Sequence, residues 1–153
     1  MKLVDFLQAE HLVADLEAQN KQGVLEELVG VLVASGVISD ARHAVDVLLE
    51  RERLGSTGIG EGIAIPHGKL PGLESVVAVF ARSKSGVDFD SMDGAPVNLF
   101  FLLVAPENSA SMHLKALARI SRLLKDRDFR QELMACDSKE LLYEKISAED
   151  ERH

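Results

Sequence analysis

From Val97 to Val104 every residue except Asn98 is apolar, with Pro96 immediately before the run. So short a run cannot span a membrane, and between turn-forming neighbours it reads as a β-strand covered on both faces. Val76 to Ala81 repeats the signature. Strands of this kind need one layer above them and another below, so the rest of the chain must supply the cover.

It supplies helices. Asn20 can cap a helix in which Leu25, Leu28, Val29, Leu32 and Val33 recur at the spacing of one buried face, and Gly36 can end it. Ser39 is placed to cap a second, with Ala41, Ala44, Val45, Leu48 and Leu49 on its inner face and Gly55 as its stop. Beyond the apolar runs, a helix opening near Ser111 carries Ala116, Leu117, Ile120 and Leu124 along one face. Phe129, Leu133 and Met134 mark a shorter one. Asp137 and Glu140 form a capping box for a last helix through Ile146, and Glu149 to His153 is expected to fray.

Residues 12–16 can form a short first strand, and another is expected around Val87 to Phe89 within the turn-rich stretch Gly86 to Pro96. Helices before, strands between and helices after imply an α/β fold: one domain, residues 1–148, with a mixed parallel and antiparallel sheet sandwiched between helices, and a tail at 149–153. No repeat or linker divides the chain.

At 153 residues, one domain can remove roughly 70% of its unfolded surface from water. Seventeen Lys and Arg against 25 Asp and Glu leave a net charge of −8, which repels a phosphate backbone and argues against nucleic acid as a partner. Met1-Lys2-Leu3-Val4-Asp5 does not read as a secretory leader, and the lone Cys136 cannot close an internal disulfide. A cytoplasmic chain that does not insert in membranes is the expectation.

The chemistry concentrates in Gly55 to Lys69, where four glycines in eight positions precede Ile63-Ala64-Ile65-Pro66-His67. Nucleotide motifs fail there on spacing. A dinucleotide fingerprint starting at Gly58 and Gly60 needs glycine where Ile63 stands, and a phosphate loop ending at Gly68-Lys69 needs Ser or Thr where Leu70 stands. The five histidines show no ligand spacing, so no metal or other cofactor is expected. Cys136 lies in a helical segment and no serine sits in a nucleophile elbow.

What remains is the imidazole of His67 as nucleophile. A neutral ring keeps one lone pair that can attack phosphorus, provided its other nitrogen donates a hydrogen bond that fixes the tautomer. Spacing alone also allows a merely structural histidine. His113 heads the inner face of the helix after Ser111, in a first turn that favours anions, and fits either a second site residue or a core histidine. Arg51 and Arg53 both end the second helix, where either could offset the helix dipole or fork onto phosphate oxygens, and pattern does not choose between them.

The run Leu54-Gly55-Ser56-Thr57-Gly58-Ile59-Gly60-Glu61-Gly62-Ile63-Ala64-Ile65-Pro66-His67-Gly68-Lys69-Leu70 resembles the signature of enzyme IIA domains of the bacterial phosphoenolpyruvate-dependent phosphotransferase system, fructose and mannitol class. Its Leu-Gly-Ser-Thr-Gly-Ile-Gly wording is closer to the nitrogen-regulatory branch. The helix pair at 20–54, the strand Asn98 to Val104 followed by Ala105-Pro106-Glu107, and His113 all fall in the family order.

That resemblance implies that His67 is phosphorylated on Nε2 by a histidine of a small HPr-like carrier. It makes His113 the second active-site histidine and Arg51, not Arg53, the active-site arginine, with Arg51, Thr57 and His113 binding phosphate and Thr57, a recurrent loop threonine, also helping to order the site. It implies a phosphotransferase without metal or nucleotide, a monomer or weak homodimer, whose phosphorylation state regulates a target such as an ion transporter or sensor kinase. The alternative is a sugar-specific enzyme IIA that passes phosphate to a separate enzyme IIB.

Overall fold

In the computed structural model, which describes residues 1–153, two short 3-10 turns (Leu3–Asp5 and Ala9–His11) precede β1 (Leu12–Val13), α1 (Lys21–Ala34) and α2 (Ala41–Arg53). There follow β2 (Gly58–Gly60), β3 (Ile63–Ala64), β4 (His67–Leu70), β5 (Val77–Val87), β6 (Val97–Pro106), α3 (Ala110–Leu124), α4 (Arg127–Ala135) and α5 (Lys139–Arg152). The sheet order is β1-β5-β6-β3-β2, with β4 also paired to β6. β5 runs antiparallel to β6, whereas β3 and β4 run parallel to it, so the sheet is mixed as expected.

β6 is the central strand, and its side chains alternate between two cores. Leu99, Phe101, Leu103 and Ala105 meet Ala116, Ile120, Phe129, Leu133, Leu142 and Ile146 of α3, α4 and α5. Phe100, Leu102 and Val104 meet Leu25, Leu28, Leu32, Ala44 and Leu48 of α1 and α2. This explains the near-continuous apolar run: neither face of the strand meets solvent. Truncating one of its phenylalanines to alanine would cost about 3–5 kcal/mol.

Local chemistry moves several boundaries. Asn20 caps α1 as expected, its Oδ1 accepting from Gly23 N–H at 2.8 Å. α2 is capped by Asp40, not Ser39: Oδ1 of Asp40 accepts from His43 N–H at 3.0 Å. α5 is capped by Ser138, whose Oγ accepts from Leu141 N–H at 3.1 Å, in place of the Asp137–Glu140 box. In both helices the cap is the residue whose oxygen reaches the third N–H of the turn that forms.

The expected strand at 87–89 is no separate element. β5 continues to Val87 through an irregularity after Arg82. Arg82 is fully buried and donates to the carbonyls of Ala14 at 3.0 Å, Leu133 at 2.9 Å and Cys136, so this polar stretch still crosses the core. The tail does not fray either. α5 runs to Arg152 because buried Asp150 accepts from Leu3 N–H at 2.9 Å, Val4 N–H at 3.0 Å and Arg119, tying the two ends of the chain together.

Candidate active site

The glycine-rich segment read as a loop is a train of three short strands. β2 and β3 form an antiparallel pair whose turn passes through Glu61 at φ 60° and Gly62 at φ +76°. β3 and β4 are consecutive stretches alongside β6, pairing with Leu99–Phe100 and with Leu103–Pro106. Pro66 separates them because it has no N–H for the ladder, although its carbonyl still accepts from Leu103 N–H at 2.9 Å.

Register then decides where each side chain points. His67 pairs with Leu103 and Lys69 with Ala105, so both face the α3 side of the sheet. Gly68 faces α2, where a Cβ would lie 3.1 Å from Val47 Cγ1. Glycine at that position lets β4 seat closely on the helix.

Half-buried His67 donates from Nδ1–H to the Ile65 carbonyl at 2.8 Å. The bond fixes the tautomer, so the lone pair is on Nε2. Burial pushes the ring below the ordinary histidine value, and Arg51 lowers it further, while the Ile65 carbonyl and Glu52 act the other way. The ring is therefore held towards its neutral form, with the lone pair on Nε2.

His113, in the first turns of α3, sits edge-on to it with ring centroids 5.4 Å apart at 80°. Only 7% exposed, it has an Nε2 without any hydrogen-bond partner. Burial, His67 and Lys69 all hold it neutral. A buried nitrogen left unpaired is costly, and here it belongs to the ring packed against His67.

Structure separates the two arginines that pattern could not. Arg51 turns to the glycine-rich segment, donating to the Gly55 carbonyl at 3.0 Å, and its charge is felt at His67. Arg53 is exposed and pairs with Glu50. Of the two parts expected of Thr57, ordering the site and binding phosphate, its hydrogen bonds match the first. It is 4% exposed and its hydroxyl proton is committed to Glu52, so it orders the segment instead of facing a ligand.

Two charged residues escaped the sequence reading. Glu52 falls at i+7 and i+4 from Val45 and Leu48, a spacing that marks a carboxylate on the buried face of α2. Lys69 would have been found by reading 67–70 as a strand, since alternate residues share a side. No three His, Cys, Asp or Glu side chains converge to hold a metal ion, and no helix is long and apolar enough to cross a membrane.

Comparison with known proteins gives a consistent result. The family described as phosphoenolpyruvate-dependent sugar phosphotransferase system, EIIA 2, matches residues 5–149. The chain is 45% identical over 143 residues to a nitrogen regulatory protein of Bradyrhizobium diazoefficiens, covering 94% of this chain and 93% of that one. It is 37% identical over 150 residues to the fructose-specific EIIABC component of Bacillus subtilis, covering 98% of this chain and 24% of the relative. The crystal structure of nitrogen regulatory protein IIA-Ntr from Neisseria meningitidis superposes with a TM-score of 0.85 at 34% identity, covering 93% of this chain and 97% of that one. This chain belongs to the EIIA 2 family of the phosphoenolpyruvate-dependent sugar phosphotransferase system and shares its phosphoryl-carrier role.

Proposed function

We propose that this protein accepts a phosphoryl group on Nε2 of His67 from a phosphohistidine of a small HPr-like carrier, and that its phosphorylation state is read by other proteins. The observation that carries the reading is the pair of rings: one with its lone pair fixed on Nε2, the other buried with an unpartnered Nε2 beside it.

The lone pair of His67 Nε2 forms the new P–N bond as the carrier's P–N bond breaks, and that electron pair returns to the carrier's ring. His67 Nδ1–H stays on the Ile65 carbonyl, so the step needs no proton transfer at this ring. His113 donates from Nε2–H to a phosphoryl oxygen, while Arg51 and Lys69 balance the growing charge. The protein's part is positioning and electrostatic stabilisation, and neither metal nor nucleotide enters the reaction.

Near Arg51 and His113 in the chain, Leu54, Met112 and Leu114 are exposed, at 83%, 43% and 68%. Large apolar side chains flanking a reactive centre suit a transient carrier interface. Adding about two negative charges there opposes the docking of a partner on the same face, which turns phosphorylation into a switch. Similarity to a nitrogen regulatory protein along nearly the whole length of both chains favours the regulatory role. Similarity to a fructose-specific component supports the second reading, transfer to a separate enzyme IIB.

The test is phosphate incorporation from phosphorylated carrier. Wild type takes label and His67→Ala takes none; normal labelling of His67→Ala would overturn the assignment. Rapid onward transfer to one member of a panel of sugar-specific EIIB proteins would replace the regulatory reading by the transport one.

A further inference from the structure

Glu52 is a carboxylate with no place in the reaction as described, yet it is 7% exposed in the last turn of α2, between the half-buried Arg51 and the exposed Arg53. Burying such a charge costs several kcal/mol unless it is fully paired, and an apolar residue would serve stability as well. Its pairing is complete and aimed. Oε1 accepts from the N–H of Thr57 at 3.1 Å and Oε2 from the Thr57 hydroxyl. Lys21, from the first turn of α1, places Nζ 3.0 Å from Oε1 while also reaching Asp90 at 3.3 Å and lying 4.9 Å from the Phe89 ring centre.

What Thr57 holds in turn gives the arrangement its meaning. The Thr57 carbonyl accepts from Ile65 N–H at 3.0 Å, and the Ile65 carbonyl is the group that accepts from His67 Nδ1–H at 2.8 Å. Each link fixes the next backbone group: carboxylate to Thr57, Thr57 to Ile65, Ile65 to imidazole. We propose that Glu52, with Lys21 as its counter-charge, is a positioning residue for phosphoryl transfer, holding the Ile65 carbonyl where it keeps the lone pair of His67 on Nε2. The inference rests on the reading of His67 as the phosphoryl acceptor.

The same carboxylate also acts through space. Arg51 and Glu52 are neighbours in sequence and bias the ring in opposite directions, the guanidinium disfavouring a proton on it and the carboxylate favouring one. Charged groups near His67 thus come from α2, as Arg51 and Glu52, and from β4 itself, as Lys69 on the same face, with the titratable His113 facing the ring from α3. A nucleophile buried beside an arginine loses basicity, and Glu52 restores part of it.

The experiment compares wild type, Glu52→Gln, Glu52→Asp and Thr57→Val by three measurements: initial labelling rate from phosphorylated carrier, nitrogen NMR of the His67 ring against pH, and thermal unfolding. Glu52→Gln is expected to slow labelling about tenfold. It should also move the His67 titration to lower pH and raise the population protonated at Nε2. Glu52→Asp keeps the charge and restores part of the rate. Thr57→Val removes the hydroxyl donor to Oε2 while keeping the carboxylate's charge and the Thr57 N–H bond to Oε1, so it loosens the first link and should mix the tautomers even if the glutamine variant does not fold. A variant that melts earlier but retains wild-type titration, tautomer and rate would reduce Glu52 to a structural residue and overturn the proposal. Failure of the wild type to accept phosphate would instead defeat the reading of His67, while the NMR measurements would still judge the positioning.

Discussion

Helix α3 serves two polar clusters built on opposite terms. At Arg119 it meets Asp150, a carboxylate 1% exposed that accepts from two backbone N–H groups and from the guanidinium. At His113, six residues earlier on the same helix, a buried nitrogen has no partner at all. A satisfied buried network contributes rigidity and joins distant parts of the chain, here the first and last turns. An unsatisfied one lowers stability, and it persists where the missing partner arrives with a substrate. Location alone would not separate the two clusters; the state of their hydrogen bonds does.

The strongest way to break that contrast is at the satisfied end. Asp150→Ala leaves two N–H groups without their acceptor and Arg119 with only the main-chain carbonyl of residue 150, and should cost about 3 kcal/mol in urea unfolding. Phosphate incorporation by the folded fraction should be unchanged. Burial alone would raise the Asp150 carboxyl, but the N–H groups of Leu3 and Val4 and the Arg119 guanidinium outweigh it and hold it below the usual carboxylate range. Its contribution is therefore present above about pH 4 and lost as acid protonates the folded state. An Asp150→Ala protein as stable as wild type would show that the clasp is ornamental.

The opposite end should fail the opposite way. If His113 donates to the phosphoryl group as proposed, His113→Ala removes that donor and should slow labelling about 100-fold, the usual cost of a single preorganised donor. Its loss of stability should be smaller than that of Asp150→Ala, because no hydrogen bond at Nε2 is given up. His113→Gln, which retains a donor, should recover part of the rate. If His113→Ala were severely destabilised and labelled at the wild-type rate, the two clusters would be of one kind.

The layers were legible in the chain because β6 needs cover on both faces and the helices show their periodicity openly. His113 was placed by the same logic, as a polar ring at the head of an apolar stripe. The glycine-rich segment was not legible as sheet: β2 and β3 have three and two residues, and Pro66 interrupts the run that β6 holds in line. Strands that short are created by their partner, not by their own propensity. Arg82 and Asp150 misled for the related reason that charged residues are expected outside, and only tertiary carbonyls and N–H groups make their burial affordable. Arg51 could not be told from Arg53, because the choice depends on which side chain turns back to the Gly55 carbonyl.

His11 tests whether an unpartnered nitrogen by itself marks chemistry. It is 1% exposed, its Nε2–H donates to Ser35 Oγ at 2.9 Å, and its Nδ1 has no partner. Burial lowers its proton affinity below the ordinary histidine value; Glu10 works against that and Lys139 with it. The unfolded chain then binds a proton at a pH where the folded one does not. Stability associated with His11 is present above about pH 6.5 and lost as pH falls towards the folded value, with a slope of at most about 1.4 kcal/mol per pH unit. His11→Gln keeps a donor for Ser35 and cannot titrate, so unfolding measured between pH 7 and about pH 5 should show a flatter acid slope, with labelling unchanged. Loss of labelling in His11→Gln would mean that the empty nitrogen, and not its setting beside a second ring and two cations, is the mark of the site.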